Sequence, residues 1–234
     1  MAISDFIETP DNYEQKTICC LVVDVSGSMA TLNPSGSPIN QLNQGLSQFH
    51  TEIHEDNATA NRLEIAIVAF SDTVEIVQAP ALVDHFSPPV LNAKGSTKLV
   101  DGVRAGIELV QARKQYYKNT GQPYNRPWIV LITDGAPDTG QDVRGLAEEI
   151  AAGMTAKDFL FLPIGVTGAN LQMLESIAGS YSEGGRTHKV SPLPLESAKF
   201  SEFFKWLSAS IAIASSDENE SNLPMPTWMT GYKN

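Results

Sequence analysis

Apolar runs alternate with amphipathic stretches along most of the chain. Residues 18–25, ICCLVVDV, are almost wholly apolar and β-rich, as a strand covered on both faces would be. A Ser/Gly/Asn/Pro loop follows. Pro38 suits the first turn of a helix, on which Ile39, Leu42, Leu46, Phe49 and Ile53 recur at spacings of three and four. Residues 63–71 read as a second buried strand. Residues 74–77 come after only Asp72-Thr73, a hairpin-length gap that implies an antiparallel edge strand. A long loop from Pro88-Pro89 ends in Lys94-Gly95-Ser96-Thr97. The helix after it runs to about Tyr117, with Val100, Val103, Ile107 and Val110 on one face.

Residues 128–133, WIVLIT, form the next strand, and Asp134-Gly135-Ala136-Pro137 turns off its end. Asp142 or a neighbour caps a helix carrying Leu146, Ile150 and Met154. Residues 159–166 are a strand and 171–178 a helix. Residues 187–193 are read as the final short strand, and Phe200, Phe203, Phe204, Leu207 and Ile211 mark a last amphipathic helix. This alternation predicts an α/β fold: a doubly wound, mostly parallel six-stranded sheet with one antiparallel edge strand and helices on both faces. One domain is expected at 17–214, between an N-terminal extension at 1–16 and an acidic, proline-containing tail at 215–234. Pro224 and Pro226 exclude a helix in the tail, and its 215–222 stretch is expected to be mobile. Trp228 and Tyr232 are unusual there. They either dock back on the domain or form a linear motif for a partner.

Composition narrows the possibilities. At 234 residues, 42% hydrophobic and 18% charged, the chain has the profile of a soluble globular protein. A net charge of −11 argues against unassisted binding to nucleic acid or an anionic membrane. No apolar run approaches the roughly 20 residues of a membrane span. The first sixteen residues have neither a basic region nor an apolar one, so no secretion signal is expected. Cys19 and Cys20 are neighbours in a strand and should face opposite ways as free buried thiols, which suits a reducing cytoplasm.

Three polar clusters fall where ligands bind in such sheets, outside the carboxyl ends of strands. Asp24-Val25-Ser26-Gly27-Ser28 leaves the first strand, Gly95-Ser96-Thr97 precedes a helix, and Thr133-Asp134-Gly135 leaves the WIVLIT strand. Their carboxylates and hydroxyls are hard oxygen donors. They suit Mg²⁺, Mn²⁺ or Ca²⁺ and argue against Zn²⁺ or copper. In an extended segment residues i, i+2 and i+4 project to one side, so a D-x-S-x-S run that bends at Gly27 can aim three short oxygen side chains at one ion.

These residues resemble the metal-ion-dependent adhesion site of von Willebrand factor A (vWA) and integrin-inserted domains. All five positions, Asp24, Ser26, Ser28, Thr97 and Asp134, occur in the family's order and on matching elements. The resemblance covers roughly 17–213. In detail it is to bacterial tellurium-resistance-associated vWA proteins, including the long middle helix and the segment FFKWLSASI. It implies that Ser26 and Ser28 ligate the ion directly, and that Thr97 does so directly or through water. Asp24 and Asp134 would act largely through water, and a partner's Asp or Glu would fill the open position. A metal-dependent protein-binding module in a cytoplasmic stress or tellurite-resistance assembly is the implied setting, with no enzymatic activity.

Other readings compete. A Mg²⁺-dependent phosphohydrolase would use a strand-end Asp as nucleophile, but needs a second acid-base carboxylate where the chain has Ser26. Neither G-x-S-x-G nor G-x-x-x-x-G-K-[ST] occurs. A scaffold in which an ion only fixes loops is a third reading. Singly, Thr97 also fits a helix N-cap, Asp134-Gly135 a turn, and Asp72, Asp101, Asp138 and Asp142 capping or solvated roles. The four histidines, His50, His54, His85 and His188, are scattered, and His50 and His54, at i and i+4 on the first helix, are expected at the surface rather than as metal ligands.

Overall fold

The computed structural model of the protein describes residues 10, 12–32, 34, 36–55, 57–166, 168–196 and 199–214. Its main sheet has six strands, β1 (Thr17–Asp24), β2 (Leu63–Phe70), β3 (Val74–Leu82), β4 (Trp128–Thr133), β5 (Leu160–Val166) and β8 (Leu193–Leu195), in the order β3-β2-β1-β4-β5-β8. All pairings are parallel except β2 with β3. Every residue of β1, β2 and β4 is buried, which explains their continuous apolar character.

The edge strand is antiparallel, as the short gap implies, but it continues past Val77 to Leu82. It follows β2 down to Glu64 with register shifts opposite Ile65 and Ile67. Pro80 is tolerated because an edge position leaves no ladder bond for its missing N–H to break.

Helices cover both faces. α1 (Pro38–Glu55) and α6 (Phe200–Ala214) pack with Leu21, Val23, Ile65 and Ile67. α3 (Leu99–Thr120), α4 (Val143–Thr155) and α5 (Leu171–Ala178) pack with Val22, Val68 and Leu131. Cys19 joins the first cluster and Cys20 the second. Both are free, and burial pushes the Cys20 thiol up to about 12. α2 (Asn57–Ala60) is a single turn that the hydrophobic pattern does not announce. Among the described residues no helix is long and apolar enough to cross a membrane.

The expected strand at 187–193 is not one element. β6 (Ser180–Glu183) and β7 (Arg186–Lys189) form a separate antiparallel hairpin around Gly184-Gly185, both at positive φ as a tight turn between twisted strands requires. The sixth strand of the sheet is β8, which pairs with β5 from Ile164 to Val166. Most of the N-terminal extension, residues 1–9, and the whole tail at 215–234, with Trp228, Tyr232 and the stretch expected to be mobile, lie outside the described residues.

The topology places the candidate site residues. From β1 the chain runs outward to β2 and β3, then crosses to β4 on β1's other side. β1 and β4 therefore flank the point where winding reverses, and the loops leaving their carboxyl ends bound a crevice.

Candidate functional site

Asp24 closes β1 and Thr133 closes β4, one step beyond the paired residues Val23 and Ile132. The Thr133 hydroxyl donates to Asp24 Oδ2 at 2.5 Å, and the Ser26 amide donates to Oδ1 at 2.8 Å. That second bond turns the chain out of the strand. A single 3-10 turn at Gly27–Ala30 follows, anchored by buried Met29. The turn sets the Ser26 and Ser28 hydroxyls 3.0 Å apart, and Ser28 Oγ donates to Asp134 Oδ1 at 2.7 Å. Ser28 thus links Ser26 to Asp134, and the Ser26 hydroxyl also hydrogen-bonds the Asp24 carboxylate.

Thr97 arrives on a third loop. Its backbone is clamped: the amide donates to Asp138 Oδ2 at 3.1 Å, and its carbonyl accepts from the Asp138 amide at 3.1 Å and from Gln141 Nε2 at 2.6 Å. Gln141 also accepts from the Val100 amide at 2.8 Å. Thr97 is not the helix cap. That position belongs to Lys98, which makes no side-chain cap bond. The loop is laced to the first one by Lys94 N to Val25 O, 2.8 Å, and Gly27 N to Gly95 O, 3.1 Å. Gly95 has φ +77, and a side chain there would run into the Asp72 carboxylate.

Gly135 shows how the loops meet. A Cβ built on it would stand 3.6 Å from Asp24 Oδ2 and 3.7 Å from Thr97 Oγ1. The missing side chain leaves a cradle between the two. Asp24, Ser26, Ser28 and Asp134 are thus linked by hydrogen bonds, and Thr97 faces Asp24 across Gly135. Sequence reasoning underrated Thr133 and Asp138 and missed Gln141. Their role is to hold the cluster, through bonds spanning 109, 41 and 44 residues, and no local spacing marks such partners. Asp142 caps α4 as expected, accepting from the Gly145 amide at 2.9 Å, and pairs with Arg104. His50 lies edge-on against Phe86, and His54 lies 3.4 Å from Asp84.

The electrostatics of the cluster are lopsided. Asp24 is fully buried, and among the described residues no cation stands beside it. Burial pushes its carboxyl up to about 6, against the pull of hydrogen bonds from Ser26 and Thr133, and nearby Asp134 raises it further. Burial also raises Asp134, against the Ser28 hydrogen bond. Among the described residues no three His, Cys, Asp or Glu side chains gather as metal ligands, so an ion at this site would rely on hydroxyl oxygens. Neutral hydroxyls plus two cation-poor carboxylates fit a hard divalent ion.

No family model matches the sequence, and no curated protein matches it either. Solved structures do resemble it. The PilB minor pilin of Streptococcus sanguinis matches with TM-score 0.56 and 18% identity, over 85% of this chain and 62% of that one. The pilus adhesin SpaC of Lactobacillus rhamnosus GG matches with TM-score 0.63 and 15% identity, over 87% and 31%. The vWF domain of the type V pili tip protein Mfa5 from Porphyromonas gingivalis matches with TM-score 0.53 and 10% identity, over 88% and 98%. The chain therefore spans less than two thirds of the pilin and of the adhesin. At these identities the likeness is one of fold, and the fold is vWA-like.

Proposed function

We propose that the chain is a protein-binding module that works through a divalent cation of the Mg²⁺ type and grips an Asp or Glu of a partner protein. The observation that carries this reading is the convergence of Asp24, Ser26, Ser28, Thr97 and Asp134 around the cradle at Gly135. Ser26 and Ser28 would hold the ion through hydroxyl lone pairs. A hydroxyl oxygen has two lone pairs beside the proton it donates to Asp24, Asp134 or its neighbour, so it can still accept an ion. Thr97 would complete the set. Asp24 and Asp134 would orient the hydroxyls and coordinated waters. When bound, the ion supplies a positive centre only partly neutralised by these ligands, an attractor for an external carboxylate in a protein of net charge −11. The adhesin and pilin folds support an adhesive role, and two free buried thiols together with the tellurium-resistance resemblance support a cytoplasmic stress or tellurite-resistance assembly as its setting.

Hydrolysis of phosphate esters is disfavoured by the state of Asp24. Both its oxygens accept hydrogen bonds and no surface of it reaches solvent, so it is poorly placed to attack a substrate. The purified protein is accordingly expected to turn over neither phosphate esters nor nucleotides.

Calorimetric titration with Mg²⁺ or Mn²⁺ tests the centre. Asp24→Ala is expected to weaken the ion about 10–100-fold, the usual loss when an orienting carboxylate is removed. Undiminished binding would move the site elsewhere. Capture of a native partner should fail in EDTA. Capture that survives EDTA would reduce the ion to a structural part, and metal-dependent phosphatase turnover lost in Asp24→Ala would restore the hydrolase reading.

A further inference from the structure

A hollow of about 500 Å³ runs along the outer edge of the sheet between β3 and α3, with none of the hydroxyl cluster in its walls. Ile76, Ala79 and Pro80 form one wall, and Leu109, Ala112 and Tyr116 the other. Its two charged lining residues are Glu108 and Arg113, and Arg113 is committed to Glu64. Ile76 is 58% exposed, and Ala79 and Ala112 are exposed as well. β3 ends the sheet, so among the described residues its outer side has no partner strand. An apolar hollow along an open sheet edge is a surface that folded proteins ordinarily cover.

The chain's own N-terminal segment leaves the domain at the near end of this groove. Ahead of β1 the chain turns sideways, toward the β3 side of the sheet. Lys16 Nζ donates to Asn61 O at 2.8 Å, Arg62 Nη2 to Glu14 Oε2 at 3.0 Å, and Asn12 Nδ2 to Asn61 O at 3.3 Å. Gln122, just past the end of α3, donates to Glu14 O at 2.6 Å. Pro10 is still half-buried. Asn12 and Glu14 thus lie between the entry to β2 and the exit of α3. The Arg113–Glu64 pair ties the groove to the same end of β2. From Asn61 to Glu64 is about 10 Å of strand, and residues 8–11 can span up to about 13 Å.

The first nine residues, MAISDFIET, suit the groove. Ile3, Phe6 and Ile7 stand at i, i+3 and i+4, the spacing of one apolar helix face, with Asp5 and Glu8 off that face. Nine residues of helix measure about 13 Å, against roughly 16 Å of α3 between Ala105 and Tyr116. We infer that residues 1–9 of the same chain dock in the β3–α3 groove, with Ile3, Phe6 and Ile7 facing the apolar walls at Ile76, Leu109 and Tyr116. The C-terminal tail fits less well, because it leaves α6, which packs with α1 on the other face of the sheet.

A nitroxide on Ser4→Cys in the full chain tests the docking, because Cys19 and Cys20 are buried and do not compete for the label. In nitrogen-15-labelled protein the amides of Ile76, Ala79 and residues 105–116 should lose most of their intensity, while those of α6 keep theirs. Ile76→Ser, a change at an exposed position, should speed chymotryptic cleavage after Phe6 about tenfold, the change expected when one apolar contact is lost. Ile76→Ser together with Phe6→Ser should restore the amide intensities. Full intensity in the singly labelled chain, a loss that the paired substitutions do not relieve, or an unchanged cleavage rate would each overturn the docking. Broadening that appears when nitroxide and nitrogen-15 are on different molecules would seat a second copy in the groove, and so overturn the assignment to the same chain. A nitroxide on Ser221→Cys that broadens these amides when one on Ser4→Cys does not would give the groove to the tail and overturn it too.

Discussion

The two ends of the central sheet each bury a carboxylate, and they treat it in opposite ways. At the amino end of β2, Glu64 is 3% exposed and receives both nitrogens of Arg113, Nε to Oε2 at 2.6 Å and Nη2 to Oε1 at 2.7 Å. The Tyr117 hydroxyl adds a third bond at 2.6 Å, and the Arg113 guanidinium lies 4.1 Å from the centre of the Tyr116 ring. Burial, and after it Glu64, pushes the Tyr117 phenol far up, which keeps it a neutral donor. At the carboxyl end of β1, Asp24 is more deeply buried and, among the described residues, has neutral donors from Ser26 and Thr133 and no cation. One end carries its cation on α3. The other provides a cradle and neutral oxygens, and its carboxyl is held up near 6. A pair complete within the chain is costly to break, while a buried carboxylate without such a partner would gain from a cation supplied from outside, as the proposed function requires.

The sharpest way to break this contrast is to remove the internal cation. Arg113→Met leaves Glu64 charged and unpaired in the interior. It should cost about 3–5 kcal/mol, the range for breaking one partner of a buried pair. Urea unfolding would measure it, and the loss should be the same with Mg²⁺ or EDTA. A loss that Mg²⁺ repairs would mean the two ends are not independent.

Asp24→Asn should act in the opposite sense. The folded-state carboxyl titrates near 6 and the unfolded one near 3.9. Between those values the folded protein holds the extra proton. Stability from this group is therefore fully present below about pH 4 and is lost as pH rises through 6. The gap of roughly two pKa units amounts to about 3 kcal/mol against the metal-free wild type at pH 7. Asn carries no charge to bury. In EDTA the variant should be more stable than wild type at pH 7, the difference should vanish near pH 4, and saturating Mg²⁺ should narrow or reverse it. A wild type more stable than Asp24→Asn at pH 7 in EDTA would show that the carboxylate is already compensated from within.

The contrast also shows what a sequence can reveal. The strands β1, β2 and β4 and the helix α5 were legible because covered elements leave long apolar runs or clean helical spacing. The D-x-S-x-S cluster was legible because its spacing is local. β6 is polar, and β8 is three residues with Pro194 at its centre, so neither carries a hydropathy signal. The hairpin turn Gly184-Gly185 was the available clue. The Arg113–Glu64 pair spans 49 residues and the Asp138–Thr97 clamp 41, distances at which pairing depends on how the helices and loops pack.

That clamp sets a third, smaller effect. Asp138→Ala removes the acceptor of the Thr97 amide, while Gln141 still holds the Thr97 carbonyl. The loss should be about 1 kcal/mol, the typical worth of one hydrogen bond. It should be accompanied by faster hydrogen exchange at Thr97 and weaker Mg²⁺ binding. Unaltered exchange at Thr97 would show that the loop is held by Gln141 and its backbone laces alone.

The smallest effect on the fold should come from Gly135→Ala, and it is the most discriminating. Gly135 does not have a positive φ, so alanine meets no backbone strain. Its Cβ would lie 3.6–3.7 Å from Asp24 and Thr97, ordinary van der Waals distances, so stability should change by no more than about 0.5 kcal/mol. Elsewhere the same substitution is costly: at Gly106 the new Cβ would stand 2.6 Å from Val22 Cγ2, within a packed core. A methyl group at Gly135 occupies the space between Asp24 Oδ2 and Thr97 Oγ1 where a coordinated ion or its water would sit. Affinity for Mg²⁺ should fall about tenfold, as when the surroundings of a metal site are disturbed. Calorimetry and urea unfolding on one preparation would separate the two quantities. Intact stability with weakened metal binding would identify the cradle as the binding space, whereas intact metal binding would move the ion out of the gap between β1 and β4 and leave Asp24 a buried acid with no counter-charge to explain it.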